Sequence, residues 1–273
     1  MSALTIGVLI PLTETPEQEF AKVHDLGLTS CQLVSWKPNE VTRELAERNR
    51  AAADAAGVTI SLFWCGYSGP EEWNYTRGPA TIGLVPAEYR AMRTAELKRG
   101  AEIANWLGVQ DMATHAGFLP LDPRDDNYQG TVTALKEIVT HAAQFGVTFN
   151  FETGQETPVV LLRTIQDIGL PNVGINLDPA NLLMYGNGNP LDALDIFGKY
   201  VRGVHAKDGD YPTDGYELGK EYPLGNGRVD FPVLVKKLKA LGYAGPLTIE
   251  REINGDQQIA DIKHAISLLT PLL

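Results

Sequence analysis

This chain of 273 residues is short of cysteine, of basic charge and of long apolar runs, and each shortage excludes a class of protein. Its two cysteines, Cys31 and Cys65, are too few for a disulfide framework. Both lie in or beside apolar strand-like segments, so buried, reduced thiols in a cytoplasmic protein are expected. Lys and Arg number 23 against 34 Asp and Glu, a net charge of −11. That balance argues against a nucleic-acid partner, because phosphate recognition needs a basic face. The opening apolar run, LTIGVLIPL (4–12), is too short to span a bilayer and lacks the basic flank and small-residue cleavage site of a secretion signal. It reads as a first strand, and no membrane association is expected. No low-complexity tract or linker interrupts the chain. What remains is 44% hydrophobic, enough for one large core, and α/β barrels commonly fill about this length as a single domain.

The organisation shows at the glycines. Gly27, Gly57, Gly108, Gly146, Gly169, Gly198 and Gly242 each follow a helical pattern and precede a β-rich run, as in AAGVTISLFW and QFGVTFNFE. Helices often end in the left-handed region, which glycine enters without a Cβ penalty. Seven such junctions and the opening strand give eight strands, and a last helix carries Ile259, Ile262, Ile266 and Leu269 at helical spacing. Helix starts agree. Thr15-Pro16, Thr157-Pro158 and Asn189-Pro190 each place a capping residue before a proline suited to the first turn. Asp230 is placed to cap a helix bearing Phe231, Leu234, Val235, Leu238 and Leu241 on one face. Alternating strand and helix units imply an α/β protein with a parallel sheet covered by helices, and eight units favour closure into one (β/α)8 TIM barrel spanning 1–273. An open doubly wound sheet is the alternative. Its usual glycine-rich turn after the first strand is missing, since Pro11-Leu12-Thr13 stands there.

Four of the expected strands close on Glu152 (FNFE), Asp178 (GINLD), His205 (RGVH) and Glu250 (LTIE). In a parallel barrel the strand ends meet at one rim, where active sites form. Alternation along a strand puts Thr148 and Asn150 on the face of Glu152, Gly174 and Asn176 on that of Asp178, Gly203 on that of His205, and Thr248 on that of Glu250. The large apolar residues between them belong under the helices, so the polar set lines the barrel. Asn150, Asn176 and Thr248 are then expected to orient the rim groups by hydrogen bonding, unless each is satisfied separately. Three carboxylates in a low-dielectric site cannot all stay ionised without a cation. One divalent metal ion resolves that conflict, and the donor set suits manganese, magnesium, cobalt or zinc.

The stretches FNFET, GINLDPAN, GVHAKDG, LGNGRVDF and LTIERE resemble the xylose isomerase-like barrels, within them the sugar-phosphate isomerase/epimerase group that includes D-tagatose 3-epimerase-like proteins. The resemblance covers essentially the whole chain. It implies that Glu152, Asp178, His205 and Glu250 bind one metal and that Glu152 and Glu250 also act on substrate as the catalytic acid/base pair. At Asn181 the sequence departs from the epimerases, which carry a substrate-contacting histidine in that stretch. The endonuclease branch of the superfamily needs more histidines than the five present, three of them on expected helices. The implied chemistry is proton transfer next to a carbonyl through a stabilised enediolate, giving epimerisation or isomerisation of a small ketose or sugar phosphate. The same carbanion serves a dehydratase or lyase acting on a keto-sugar, keto-glycoside or inosose, and a non-catalytic sugar-binding barrel is a third class. The partner is therefore a small carbohydrate, and homo-oligomerisation is left open.

Further candidates flank the quadrant. His115 ends the fourth strand (MATH) and is expected to touch substrate. Lys207 shares the parity of His205 and either holds a substrate oxyanion or phosphate or pairs with Asp208 or Glu221. Glu156 either caps the following helix or meets a sugar hydroxyl, and Asn181 faces substrate. Trp64, with Tyr67, Trp73 and Phe118, is expected to form an apolar wall that excludes water. The glycine-rich LGNGRVDF offers a phosphate cradle that the nearby Asp230 opposes. The long stretch 209–228 has the length of a lid.

Overall fold

Eight parallel strands close into a barrel in the computed structural model, which describes residues 4–273. In chain order they are Thr5–Pro11, Ser30–Ser35, Thr59–Cys65, Asp111–Thr114, Thr148–Glu152, Val173–Leu177, Val201–Ala206 and Pro246–Ile249. Each pairs with its sequence neighbours, and the first closes on the eighth through Thr5–Val8 against Pro246–Ile249. A two-residue antiparallel ladder, Asp208–Gly209 with Glu221–Tyr222, sits outside the barrel. Among the described residues no helix is long and apolar enough to cross a membrane.

The alternation expected from the sequence sets the layers. Phe149, Phe151, Ile175, Leu177, Val204, Leu247 and Ile249 are buried in the main core with the helices. The barrel interior holds a small apolar cluster of Leu62, Trp64 and Ala113, and beside it the buried polar residues Gln32, Asn150, Asn176, His205 and Thr248. Two glycines make room for these amides. A Cβ on Gly174 would collide with Asn150 Oδ1, and one on Gly203 would collide with Asn176 Oδ1.

Six of the seven junction glycines have left-handed φ, between 66° and 82°. Gly198 does not: its φ is −53°, and it opens the 3-10 turn Gly198–Tyr200. Its lack of a side chain serves packing instead, because a Cβ would lie 2.5 Å from Leu241 Cδ1. Thr157 and Asn189 cap their helices through Val160 N and Leu191 N, and Asp230 caps through Val233 N. Thr15 makes no such bond, since its ψ of 57° takes it out of the extended capping conformation. Leu241 and Ile259, assigned to buried faces by periodicity, are 47% and 45% exposed because they lie at helix ends, where the core-facing stripe runs out.

Candidate active site

Glu152 ends the fifth strand and His205 is the penultimate residue of the seventh, while Asp178 and Glu250 follow the sixth and eighth directly. Each offers a donor atom, and the four lie within 4.8 Å of one another. His205 Nδ1 is 2.9 Å from Glu152 Oε1 and 2.8 Å from Glu250 Oε2. Asp178 is also the N-cap of the helix Pro179–Met184, where its Oδ1 accepts from Asn181 N at 2.9 Å. That leaves Oδ2 for the cluster. The Asp178 backbone is pinned by Thr153, whose hydroxyl accepts from Asp178 N and donates to Asp178 O, both at 2.8 Å.

Asp178 Oδ2, His205 Nδ1 and Glu250 Oε2 are buried and, among the described residues, form no aligned hydrogen bond despite their closeness. Buried polar atoms are normally satisfied, so three converging orphans fit a cation that would take a lone pair from each. The charges show the same tension. Burial disfavours the His205 imidazolium, yet the Glu152 and Glu250 carboxylates hold its pKa well above the ordinary histidine value. Burial pushes the Asp178 carboxyl up, with Lys207 opposing. Burial works the same way on Glu250, but Lys207 and His205 beside it hold its carboxyl well below the usual range.

The supports differ in part from those the parity argument gives. Asn176 donates through Nδ2 to Glu152 Oε2, and its Oδ1 accepts from Gln32 Nε2 at 3.1 Å. Gln32 Oε1 in turn lies 2.8 Å from His205 Nε2. Asn150 faces inward but turns down the barrel, donating to Asp111 Oδ1 and Met112 O rather than to any rim group. Asp111, held by Arg202 at 2.6 Å, captures the amide that was expected to serve the rim. The Thr248 hydroxyl bonds to nothing among the described residues. Gln32 escapes sequence reasoning because it lies on the second strand, outside the acid quadrant. Its signal is an amide at inward parity within the apolar run SCQLV.

Above the cluster opens a cavity of about 630 Å³, with Glu152, Glu250, His115, Asn181, Trp64 and Trp73 in its wall. His115 stands between two indoles, its ring centroid 5.7 Å from Trp64 and 5.2 Å from Trp73. Burial lowers its pKa despite the nearby Glu152, keeping the ring neutral, and among the described residues Nδ1 has no partner. Trp36 joins the wall, 4.6 Å from Trp64, and it too has inward parity with Gln32 and Val34. Tyr67 and Phe118 do not reach the cavity. The Tyr67 hydroxyl accepts from Gly83 N under the Arg93 guanidinium, and Phe118 packs on Tyr185.

Lys207 lies behind the cavity wall, bonded to Glu252 Oε1 at 2.6 Å and within 3.7 Å of Asp178 and Glu250. It pairs with neither Asp208 nor Glu221. Asp208 is enclosed by the glycine-rich stretch, accepting from Gly209 N, Gly225 N, Gly227 N and Val229 N at 2.8–3.0 Å. The anion cradle is therefore filled by the chain's own carboxylate. Glu156 is buried off the cavity with both oxygens unpartnered among the described residues; burial pushes its pKa up to about 8, and Thr157 rather than Glu156 caps the helix. From the 209–228 stretch Leu218 reaches the cavity, and Gly219 N donates to Met184 O at 2.8 Å.

The fold and the rim cluster together define a (β/α)8 barrel with a candidate metal centre at its C-terminal mouth. The chain belongs to the family described as xylose isomerase-like TIM barrel, whose pattern it matches over residues 20–272. A xylose isomerase domain protein from Planctomyces limnophilus, known from its crystal structure, is 35% identical, with a TM-score of 0.90 over 99% of this chain and 97% of that one. The crystal structure of a D-psicose 3-epimerase in the presence of D-fructose superposes with a TM-score of 0.73 over 99% of both chains, at 16% identity, a likeness of fold. An uncharacterised protein of Methanocaldococcus jannaschii is 29% identical over 175 residues; the match takes in 58% of this chain and 57% of that relative's length.

Proposed function

We propose that this protein is a divalent-metal-dependent isomerase or epimerase of a small, uncharged ketose. The observation that carries the reading is the convergence of Glu152, Asp178, His205 and Glu250 within 4.8 Å, beside a cavity of about 630 Å³. One imidazole and three carboxylates suit manganese, magnesium, cobalt or zinc. A divalent ion there supplies Lewis-acid polarisation of a carbonyl beside the C–H bond to be broken. Glu152 and Glu250 both line the cavity and move the proton: one removes it from one face of the carbon and the other returns it to the opposite face. His115, held neutral by burial, and Asn181 offer hydrogen bonds to substrate hydroxyls. Trp36, Trp64 and Trp73 keep water from the reacting carbon and present flat faces to the apolar side of a sugar ring.

The preference for an uncharged sugar rests on the cations. Among the described residues the cavity wall carries one guanidinium, Arg251, and it is held by Glu221 and Asp261 at 2.8 Å each. Lys207 is committed to Glu252, and the glycine cradle is filled by Asp208. Among the described residues of the cavity wall a phosphate would find no free positive group. The fold likeness to a D-psicose 3-epimerase supports the same class. A second reading, elimination from a keto-glycoside by a lyase or dehydratase, is favoured by the cavity's size, which lies within the range that takes drug-sized ligands.

Incubating the manganese-loaded protein in heavy water with ketoses and keto-glycosides tests both. Conversion at constant carbon skeleton with deuterium at the inverted carbon is expected, and loss of water or of a glycoside would select the second reading. Glu250→Gln keeps an oxygen donor without the base and should lower turnover at least about a hundredfold. Protein that takes up no divalent ion, or substrates that exchange no C–H hydrogen with solvent, would count against the proposal.

A further inference from the structure

Gln32 and His205 come from opposite parts of the sequence and meet inside the barrel, both almost fully buried at 1% exposure. Their contact is one link of a chain. Glu152 Oε2 accepts from Asn176 Nδ2, Asn176 Oδ1 accepts from Gln32 Nε2, and Gln32 Oε1 faces His205 Nε2 at 2.8 Å. An amide has one donating and one accepting end, so the direction of the first bond fixes all the others. A carboxylate only accepts. Asn176 must therefore turn its NH2 to Glu152 and its oxygen to Gln32, and Gln32 must then turn its NH2 to Asn176 and its oxygen to His205. An oxygen facing Nε2 requires hydrogen on Nε2. In a neutral imidazole that leaves the lone pair on Nδ1, the atom lying 2.8–2.9 Å from two rim carboxylates.

We propose that Gln32 and Asn176 form an amide relay through which the Glu152 carboxylate sets the tautomer and ring orientation of His205, presenting Nδ1 to the cation. The proposal rests on the metal reading above. Gln32 is a positioning residue: it acts on the ion through His205 and lies outside the cavity wall. The packing is built for the relay. Gly203 stands opposite Asn176 in the register, and a side chain there would collide with the Asn176 oxygen that accepts from Gln32. Gln32 is flanked by Leu9 and Leu62 in the register of its strand neighbours, which offer no competing side-chain partner. Glu152 and His205 lie on strands separated by the sixth, and the relay makes their positions depend on each other.

The test uses metal-free full-length protein titrated with manganese, and zinc-loaded protein for the ring nitrogens of His205 by NMR. Wild type should bind one ion and show a hydrogen-bearing Nε2 with a metal-shifted Nδ1. Gln32→Leu should weaken ion binding roughly tenfold to a hundredfold and broaden or lose the Nε2–H signal. Gln32→Glu still accepts from Nε2–H but cannot donate to Asn176 Oδ1, so it should keep the ring signature while losing the link to Glu152, and it tests the contact with His205 if the leucine variant does not fold. Unchanged affinity and ring signature in Gln32→Leu, or zinc bound through Nε2 in Gln32→Glu, would overturn the relay while leaving the metal site standing. Wild type that binds no ion would overturn both.

Discussion

Strands five to eight bring two glutamates, an aspartate and a histidine to the barrel rim, whereas the first three bring Pro11, Trp36 and Trp64, with His115 following the fourth. The backbone plan is the same in both halves, so the difference lies in what each kind of side chain demands of its surroundings. Converging carboxylates repel and need compensation; here a buried ammonium, Lys207, stands within 3.7 Å of Asp178 and Glu250. Indoles need no countercharge but must be held in place. The loop carrying Trp73 is tied by a second buried cation, Arg93, whose guanidinium donates to the carbonyls of Ser68, Pro70, Thr81 and Gly83. One half uses its buried cation for charge and the other uses it for backbone. Gln32 is where the halves join, a second-strand residue that reaches the histidine of the seventh.

Removing the imidazole should produce the largest effect. His205→Ala should abolish retention of the ion and lower turnover by at least about a thousandfold, while the thermal transition stays cooperative because the barrel does not depend on the rim. Elemental analysis with calorimetry checks both. Loss of the transition instead would mean that the acid half is structural.

In the other half Arg93→Met should leave four carbonyls short of a donor and cost roughly 4 kcal/mol, read as a lower denaturant midpoint at constant slope. It should also raise KM by loosening the loop under Trp73. Lys207→Met should destabilise the metal-free protein by about 3 kcal/mol, since breaking a buried ion pair leaves charge uncompensated. Added manganese should recover much of that loss, because the ion takes over the neutralising role. A deficit unchanged by metal would break the parallel between the two cations.

Trp73→Ala should raise KM about tenfold and leave kcat within roughly threefold, because binding surface is lost while Trp36 and Trp64 remain to keep water from the reacting carbon. A collapse of kcat with constant KM would place the indole in the reaction step. Tyr216, 73% exposed on the 209–228 stretch, should be replaceable by alanine within about 0.5 kcal/mol of stability. A larger loss would show that the stretch is more firmly bound than its contacts with Met184 and Gly186 suggest.

The barrel and the acid quadrant were legible in the amino-acid order alone, because both follow from local periods. Glycine-marked helix ends count the units, and a two-residue alternation sends Glu152, His205 and Glu250 to the same side as surely as it sends Phe149 and Phe151 to the other. The partners were set by the folded chain. Whether Asn150 bonds upward to the rim or downward to Asp111, whether Lys207 meets Asp208 or Glu252, and which amide faces His205 are choices won by groups tens of residues away. Alternation gives a side chain's face and leaves open which neighbour wins it. The competition is settled only when the closed barrel fixes the distances: the main-chain amides of 209–229 claim Asp208, Lys207 is left to Glu252, and Gln32 lies 2.8 Å from a histidine 173 residues away.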